Sequence, residues 1–302
     1  MTPDDDAFGL EPATVARAFD RAATRYEAAA QLQARVRADL LERLDELKPP
    51  RDARAVLDLG AGTGAATAAL RDRFRKARVV AVDLAPGMLR EAARHQRLFR
   101  RFDRVLADAA ALPFADGTLD VAYSNHMLQW FDDPARVFAE LARALRPGGL
   151  LVFSTFGPDT LRELRTAWEA ADPTGVHVNR FIDVHDLGGA LQRSGFAEPV
   201  LDVDRLRQHH VDVADLLRGL KAIGAHNVNA GRARALTGRR RYQAMMTAYE
   251  TQRTPKGLPA TWEIVYGVAW AAHPPPDGDL AMRGETRIDA ATLATRLKQR
   301  RR

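Results

Sequence analysis

The stretch Arg54–Gly64, reading RAVLDLGAGTG, constrains the fold more than any other part of the chain. Val56, Leu57 and Leu59 form a short apolar run of the kind a buried parallel strand uses. Gly60, Gly62 and Gly64 follow, and then an Ala-rich segment, AATAALRDRF, with the composition of a helix. A strand, a glycine turn and a helix in succession bring backbone N–H groups and a helix N-terminus to a nucleotide-like ligand. Gly60, Gly62 and Ala65 also satisfy the looser dinucleotide pattern G-x-G-x-x-G/A, although glycine serves tight strand-to-helix packing without any ligand. The turn by itself predicts an α/β fold and not yet an activity.

The next residues add chemistry. Val79–Pro86 (VVAVDLAP) reads as a second strand ending in Asp83, nineteen residues beyond Gly64, where an acidic side chain can grip a ribose diol. A third run reaches Asp108, Leu119–Asn125 reads as a fourth strand, and a helix over Pro134–Leu145 leads through RPGG to a fifth strand, LLVFSTF. This series resembles the S-adenosylmethionine-dependent class I methyltransferases over roughly Val56–Phe156; a nicotinamide enzyme would not show it. The resemblance implies a Rossmann-like α/β domain: a seven-stranded, mostly parallel sheet with helices on both faces, N-terminal helices and a helical lid insert. It also implies S-adenosylmethionine as cofactor. Gly60, Gly62 and Gly64 would admit its methionine end, with Asp58 ordering the turn. Asp83 would hold the ribose hydroxyls, Asp108 with Ala109 would meet the adenine, and Asn125 would close the set.

With 302 residues, 46% of them hydrophobic, the chain can bury one large core with additions. It has no cysteine, so it has neither a disulfide framework nor a thiol nucleophile. No run approaches a membrane span, and MTPDDDAFG at the N-terminus is acidic where a targeting peptide would be basic; a cytoplasmic protein is expected. The net charge of +6 is uneven: Arg283–Arg302 holds seven basic and two acidic residues, and Arg232–Arg241 holds five arginines and no acid. Such runs are ordinarily solvated faces, and the other reading is a docking surface for an acidic partner. Nucleic acid is disfavoured because no aromatic residues interleave with the tail arginines. No membrane partner and no metal are expected.

Three regions follow from the pattern: a helical lid segment over 1–50, a methyltransferase domain over 51–272 with a helical insert at about 211–254, and a Pro-rich linker with a basic tail over 273–302. In the first, Val15, Phe19, Ala22, Tyr26 and Ala29, then Leu32, Val36, Leu40 and Leu44, keep near-helical spacing, and Pro49-Pro50 ends the run. SNHMLQWF (Ser124–Phe131) lies just past the fourth strand, where open α/β sheets place their ligand crevice. His126 there reads as structural more readily than as a general base, and Trp130 as a pocket wall. Beyond Gly157-Pro158 a helix capped by Asp159 is expected, then a second ending at Gly195, a sixth strand over Glu198–His210, the insert from Val213 to about Arg253, and a seventh strand over Ala260–Ala272.

STFGPDTLRELR, HVNRFIDVHDLG, LKAIGAHNVNAGR, LTGRRR and PATWEIVYGVAW, with AFDRAATRYEAAAQLQ near the start, resemble the malonyl-acyl-carrier-protein O-methyltransferases of biotin synthesis across nearly the whole chain. Ala61 stands where that family often has cysteine. The resemblance implies methyl transfer to the free carboxylate of malonyl-acyl carrier protein, whose neutral ester primes fatty-acid elongation toward pimelate. It implies an arginine to bring the carboxylate in, with Arg162 and Arg180 as candidates and Tyr26, His177 and Asn179 as polar neighbours. It also makes Arg232, Arg234, Arg239, Arg240 and Arg241 a docking face for the acidic carrier. The alternatives are a methyltransferase for another small carboxylate or a quinone precursor, a hydroxylase of the complex I assembly type, and a donor-binding scaffold without transfer.

Overall fold

A computed structural model describes residues 10–50, 52–223 and 238–272. Its strands are β1 (Ala55–Leu59), β2 (Arg78–Asp83), β3 (Asp103–Leu106), β4 (Leu119–Asn125), β5 (Leu145–Phe156), β6 (Phe196–His210) and β7 (Leu258–Ala271). They form one sheet in the order β3-β2-β1-β4-β5-β7-β6. The first five run parallel, and β7 lies antiparallel between β5 and β6. The helices are α1 (Pro12–Ala29), α2 (Gln31–Glu46), α3 (Ala65–Arg73), α4 (Pro86–Ala92), α5 (Pro134–Ala144), α6 (Arg162–Ala171), α7 (Val184–Arg193), α8 (Val213–Ala222) and α9 (Arg239–Glu250).

Crossover helices cover both faces of a parallel sheet, so its strands must be apolar on both sides. Val56, Val79, Val121 and Val152 face a core shared with α2, α3, α6, α8 and α9. Leu57, Val80, Ala122 and Leu151, each adjacent to one of these in its strand, face the opposite core, filled by α5 and α7. Leucines such as Leu40 on α2 and Leu141 on α5 are at most 1% exposed, and each contributes about 2 kcal/mol by leaving water. The strand order reverses direction between β1 and β4, which opens a crevice beyond their carboxyl ends.

Two local departures from the sequence reading have physical causes. The fifth strand starts at Leu145 rather than after RPGG: Leu145 pairs with Leu119, and a register shift between Leu119 and Val121 absorbs the turn at Gly148 (φ 73°). Asp159 does not cap α6. That helix begins at Arg162 behind Leu161 in left-handed backbone (φ 55°), while the Asp159 carboxylate accepts from Arg205 Nε at 3.1 Å, a charge-assisted bond stronger than a cap to a neutral N–H. The sixth and seventh strands, by contrast, fall within two residues of the expected bounds. Phe156, at the end of β5, pairs with Ile264, so among the described strands Leu258–Glu263 pairs with Arg205–His210 alone, in a two-stranded ribbon that outruns β5.

The N-terminal helices divide the work. α2 belongs to the core through Leu32, Val36, Leu40 and Leu44. α1 lies over the crevice and is pinned to α4, where Asp20 Oδ1 accepts the Gly87 N–H at 2.5 Å. The insert helices sit elsewhere: α9 packs against α6, and α8 touches α1.

Candidate active site

β1 ends at Leu59 and the chain reverses through Gly60–Gly64 into α3. The Gly60 and Ala61 N–H groups donate to Val82 O at 2.9 and 3.0 Å, which ties the turn to β2. Asp83 completes the tie: its Oδ2 accepts the Gly62 N–H and its Oδ1 the Ala85 N–H, both at 2.8 Å. The glycines differ in purpose. A Cβ on Gly60 would come within 2.5 Å of Met127, and one on Gly64 within 2.7 Å of Ala92 Cβ, so both are close-packing positions. Gly62 (φ 53°) meets nothing within 4 Å and opens onto the crevice.

Asp58 lies beneath the turn, 1% exposed, and accepts the Thr67 hydroxyl. Burial pushes its carboxyl up to about 7. It orders the β1–α3 junction without lining the pocket. Burial also raises Asp83, while its backbone N–H partners pull the other way.

The pocket opens to solvent and encloses about 770 Å³ counted to its mouth. Gly60, Gly62 and Asp83 line it, as do Ala85, Met88 and Ala109. Phe19 and Tyr26 reach it from α1, and Phe19 meets Trp130 edge-on with ring centroids 5.1 Å apart, joining α1 to the turn after β4. Burial raises the Tyr26 phenol far above its ordinary range, so it keeps its proton. Asn125 is fixed by its neighbours: its Oδ1 accepts the Ser154 hydroxyl at 2.9 Å and its Nδ2 donates to Gln33 O at 3.3 Å.

His126, 7% exposed, takes left-handed backbone (φ 53°), stacks on Phe156 at 4.3 Å and lines the pocket. Neither ring nitrogen has a hydrogen-bond partner among the described residues. Burial lowers its pKa to about 3, so the imidazole is neutral near pH 7.

The other sequence-derived candidates lie elsewhere. Asp108 turns its own loop by accepting the Ala110 N–H at 2.9 Å, leaving Ala107 and Ala109 on the pocket wall. His177 stacks on Trp168 with centroids 3.8 Å apart, and its Nε2 lies 2.9 Å from Asp172, which also pairs with Arg241 at 3.3 Å. Arg162 lines a separate groove near Asp159 and Glu163, and Arg180 is exposed on the segment before α7. Among the described residues no arginine lines the pocket, and Tyr26 alone of the expected substrate set does. Arg232 and Arg234 lie outside the described residues. Sequence reasoning passed over Phe19, whose only signal was helical spacing, and Met127, which carries no mark of the glycine it packs on.

These residues fit a nucleoside-bearing donor. Asp83 retains lone pairs for a diol beyond its two N–H bonds, Ala85, Met88 and Ala109 offer an apolar slot for a flat base, and the open face of Gly62 admits close approach. Residues 57–153 match the family described as a methyltransferase domain. The fold is similar to that of the YcgJ protein of Bacillus subtilis, with a TM-score of 0.56 at 16% identity, covering 78% of this chain and 100% of that one. It is also similar to phosphoethanolamine N-methyltransferase 2 of Haemonchus contortus, solved with S-adenosyl-L-methionine, with a TM-score of 0.51 at 18% identity, covering 78% and 53%. Fold and site together define a class I methyltransferase that uses S-adenosylmethionine. The malonyl-[acyl-carrier protein] O-methyltransferase of Methylovorus sp. strain MP688 is 48% identical over 297 residues, 95% of this chain and 99% of the relative. The chain belongs to that family.

Proposed function

We propose that the protein methylates the free carboxylate of malonyl-acyl carrier protein, the ester-forming step early in biotin synthesis, and that it does so in the cytoplasm. The observation that carries the reading is a pocket without a usable base. His126 is neutral with a pKa of about 3, Tyr26 holds its proton, and Asp83 is occupied by two backbone N–H groups and the donor's diol. Such a pocket suits an acceptor that arrives ionised, as a carboxylate does near pH 7. The likeness to the Methylovorus enzyme along nearly its whole length supports malonyl-acyl carrier protein over a quinone precursor, a hydroxylation role or a scaffold.

S-adenosylmethionine, when bound, supplies an electrophilic methyl group on a positively charged sulfur. The chain supplies binding, alignment and dryness. Asp83 and the glycine turn hold the donor, and Phe19, Tyr26 and Trp130 exclude water, which strengthens every polar contact inside. The Tyr26 hydroxyl and the single N–H of the neutral His126 ring offer neutral hydrogen bonds to the acceptor. Neutral donors orient a carboxylate without the grip of a guanidinium, which would stabilise the ground state and blunt the nucleophile. Phe181 packs on Phe156, and Phe156 stacks on His126. That chain of contacts brings the Arg180 segment to the acyl side, where Arg180 would steer the carboxylate inward. Arg239 and Arg240, exposed at the start of α9, add positive charge for the acidic carrier.

The test is incubation of malonyl-, succinyl- and acetyl-carrier protein with S-adenosylmethionine and the purified chain, read by intact mass. One added methyl group on the malonyl form alone supports the reading. Transfer to none of them, with the donor still bound, overturns it.

A further inference from the structure

The β6–β7 ribbon has no part in donor binding, yet it carries a second large cavity. Leu258–Glu263 and Arg205–His210 pair as strands with each other, with the Gly157 and Leu161 N–H groups donating to Glu263 O and Thr261 O from the segment after β5, and six residues at about 3.4 Å each raise the ribbon about 20 Å beyond β5. Between the ribbon, the start of α6 and the turn at Thr254–Gly257 lies a groove of about 1110 Å³ counted to its mouth. Arg162, Arg205, Arg207, His209 and Lys256 line it, and no carboxylate lines it among the described residues.

The cations are of two kinds. Arg205 is held from behind by Asp159 (3.1 Å) and Glu263 (2.7 Å), and Arg162 lies 3.6 Å from Glu163. The Glu163 and Glu263 side chains are 8% and 6% exposed against 47% and 58% for Arg162 and Arg205, so the negative charge sits inside and the positive charge faces water. Arg207 and Lys256 are exposed and make no ion pair with any described residue. The groove opens at the same edge of the sheet as the donor pocket. From β4 to β6 there are three strand steps, β4-β5-β7-β6, a lateral offset of about 14 Å. A free acyl thioester seated in the pocket would not touch the groove. A carrier protein standing on the ribbon, with its acyl group at the end of a long flexible arm, would occupy both.

We infer that this groove, through Arg207 and Lys256 with Arg205 and Arg162 beside them, is the docking site for the acidic surface of the carrier protein. The inference rests on the proposed carrier-linked substrate. It places the carrier on the ribbon and assigns α9 the lesser share. Rim charges of this kind act on encounter and on salt dependence more than on the chemical step.

The test compares the wild type, Arg207→Glu/Lys256→Glu and Arg239→Glu/Arg240→Glu in the full chain, on malonyl-carrier protein and on a free malonyl thioester. The groove variant should raise KM for the carrier-linked substrate about tenfold with kcat retained and an unchanged melting midpoint. The α9 variant should raise it less, and the free thioester should shift by less than about twofold in either. Added salt should weaken the wild type more than the groove variant. An unchanged carrier KM in the groove variant, a larger effect from α9, or equal losses on both substrates would overturn the inference. If the wild type methylates neither substrate, the functional reading fails separately. Docking is then decided by NMR titration of isotope-labelled carrier protein: line broadening with the wild type but not with the groove variant supports it, and equal broadening with both refutes it.

Discussion

Gly62 and Gly64 lie two residues apart in the same turn, and alanine at each should fail differently. Both have positive φ, 53° and 83°, so alanine costs about 1–2 kcal/mol of backbone strain at either. At Gly64 the new Cβ lies 2.7 Å from Ala92 Cβ and 3.0 Å from its Cα, backbone that cannot swing aside; overpacking adds about 1–3 kcal/mol. At Gly62 the Cβ meets nothing within 4 Å, so strain is the whole cost to folding. The same methyl group would occupy the open side of the turn beside Asp83, and overpacking against the donor costs about 1–3 kcal/mol of binding, roughly a tenfold loss or more. Chemical unfolding and calorimetric titration with S-adenosylmethionine separate the two. Gly62→Ala should lose donor affinity and only about 1–2 kcal/mol of stability, and Gly64→Ala should lose about 2–5 kcal/mol of stability. Unaltered donor affinity in Gly62→Ala would refute the placement of the donor over this glycine.

Asp83→Asn puts an N–H where Asp83 now accepts from Gly62 or Ala85 and removes the charge facing the diol. Donor affinity should fall about 10- to 100-fold by titration calorimetry, and native affinity would exclude Asp83 as the diol ligand. Asp58, with a pKa of about 7 in the fold against about 3.9 unfolded, binds a proton in the native state that the unfolded chain has lost. Stability should therefore fall as pH rises through that window. Asp58→Asn should gain about 2–4 kcal/mol over wild type between pH 4 and pH 8 in urea unfolding, and a pH-independent difference would contradict the assignment. His126 has the opposite sign: its pKa of about 3 lies below an unfolded value of about 6.5, so stability is lost as pH falls. His126→Asn, which tolerates the left-handed backbone, should remove about 2 kcal/mol of that loss between pH 6.5 and 5, and an acid limb as steep as wild type would contradict a buried neutral ring.

The β1 turn was legible because glycine and strand-end aspartate are forced by geometry: a positive φ and a carboxylate that accepts two backbone N–H groups leave few residue choices. The strand order followed from apolar runs whose alternate residues enter two cores, Val56 on one face and Leu57 on the other. The acyl side was not legible. Arg162 follows GPDT and reads as substrate-facing, but its place was decided by the ribbon, a long-range pairing in which Asp159 and Glu263 draw Arg205 to the same groove. His177 reads as a polar neighbour until Trp168 and Asp172 claim it. His126 reads as structural because nothing in SNHMLQWF tells that both its nitrogens lack partners.

The central claim is that a pocket with no usable base methylates an acceptor already ionised. A malonyl group offers two sites, the carboxylate oxygen and the acidic carbon beside it, and only the carbon requires a proton to be removed. Malonyl-carrier protein incubated with the chain and S-adenosylmethionine bearing a ¹³C-labelled methyl group separates them by NMR. The account predicts a single methoxy signal that mild alkali releases as methanol. A methyl signal on carbon, resistant to alkali, would contradict it.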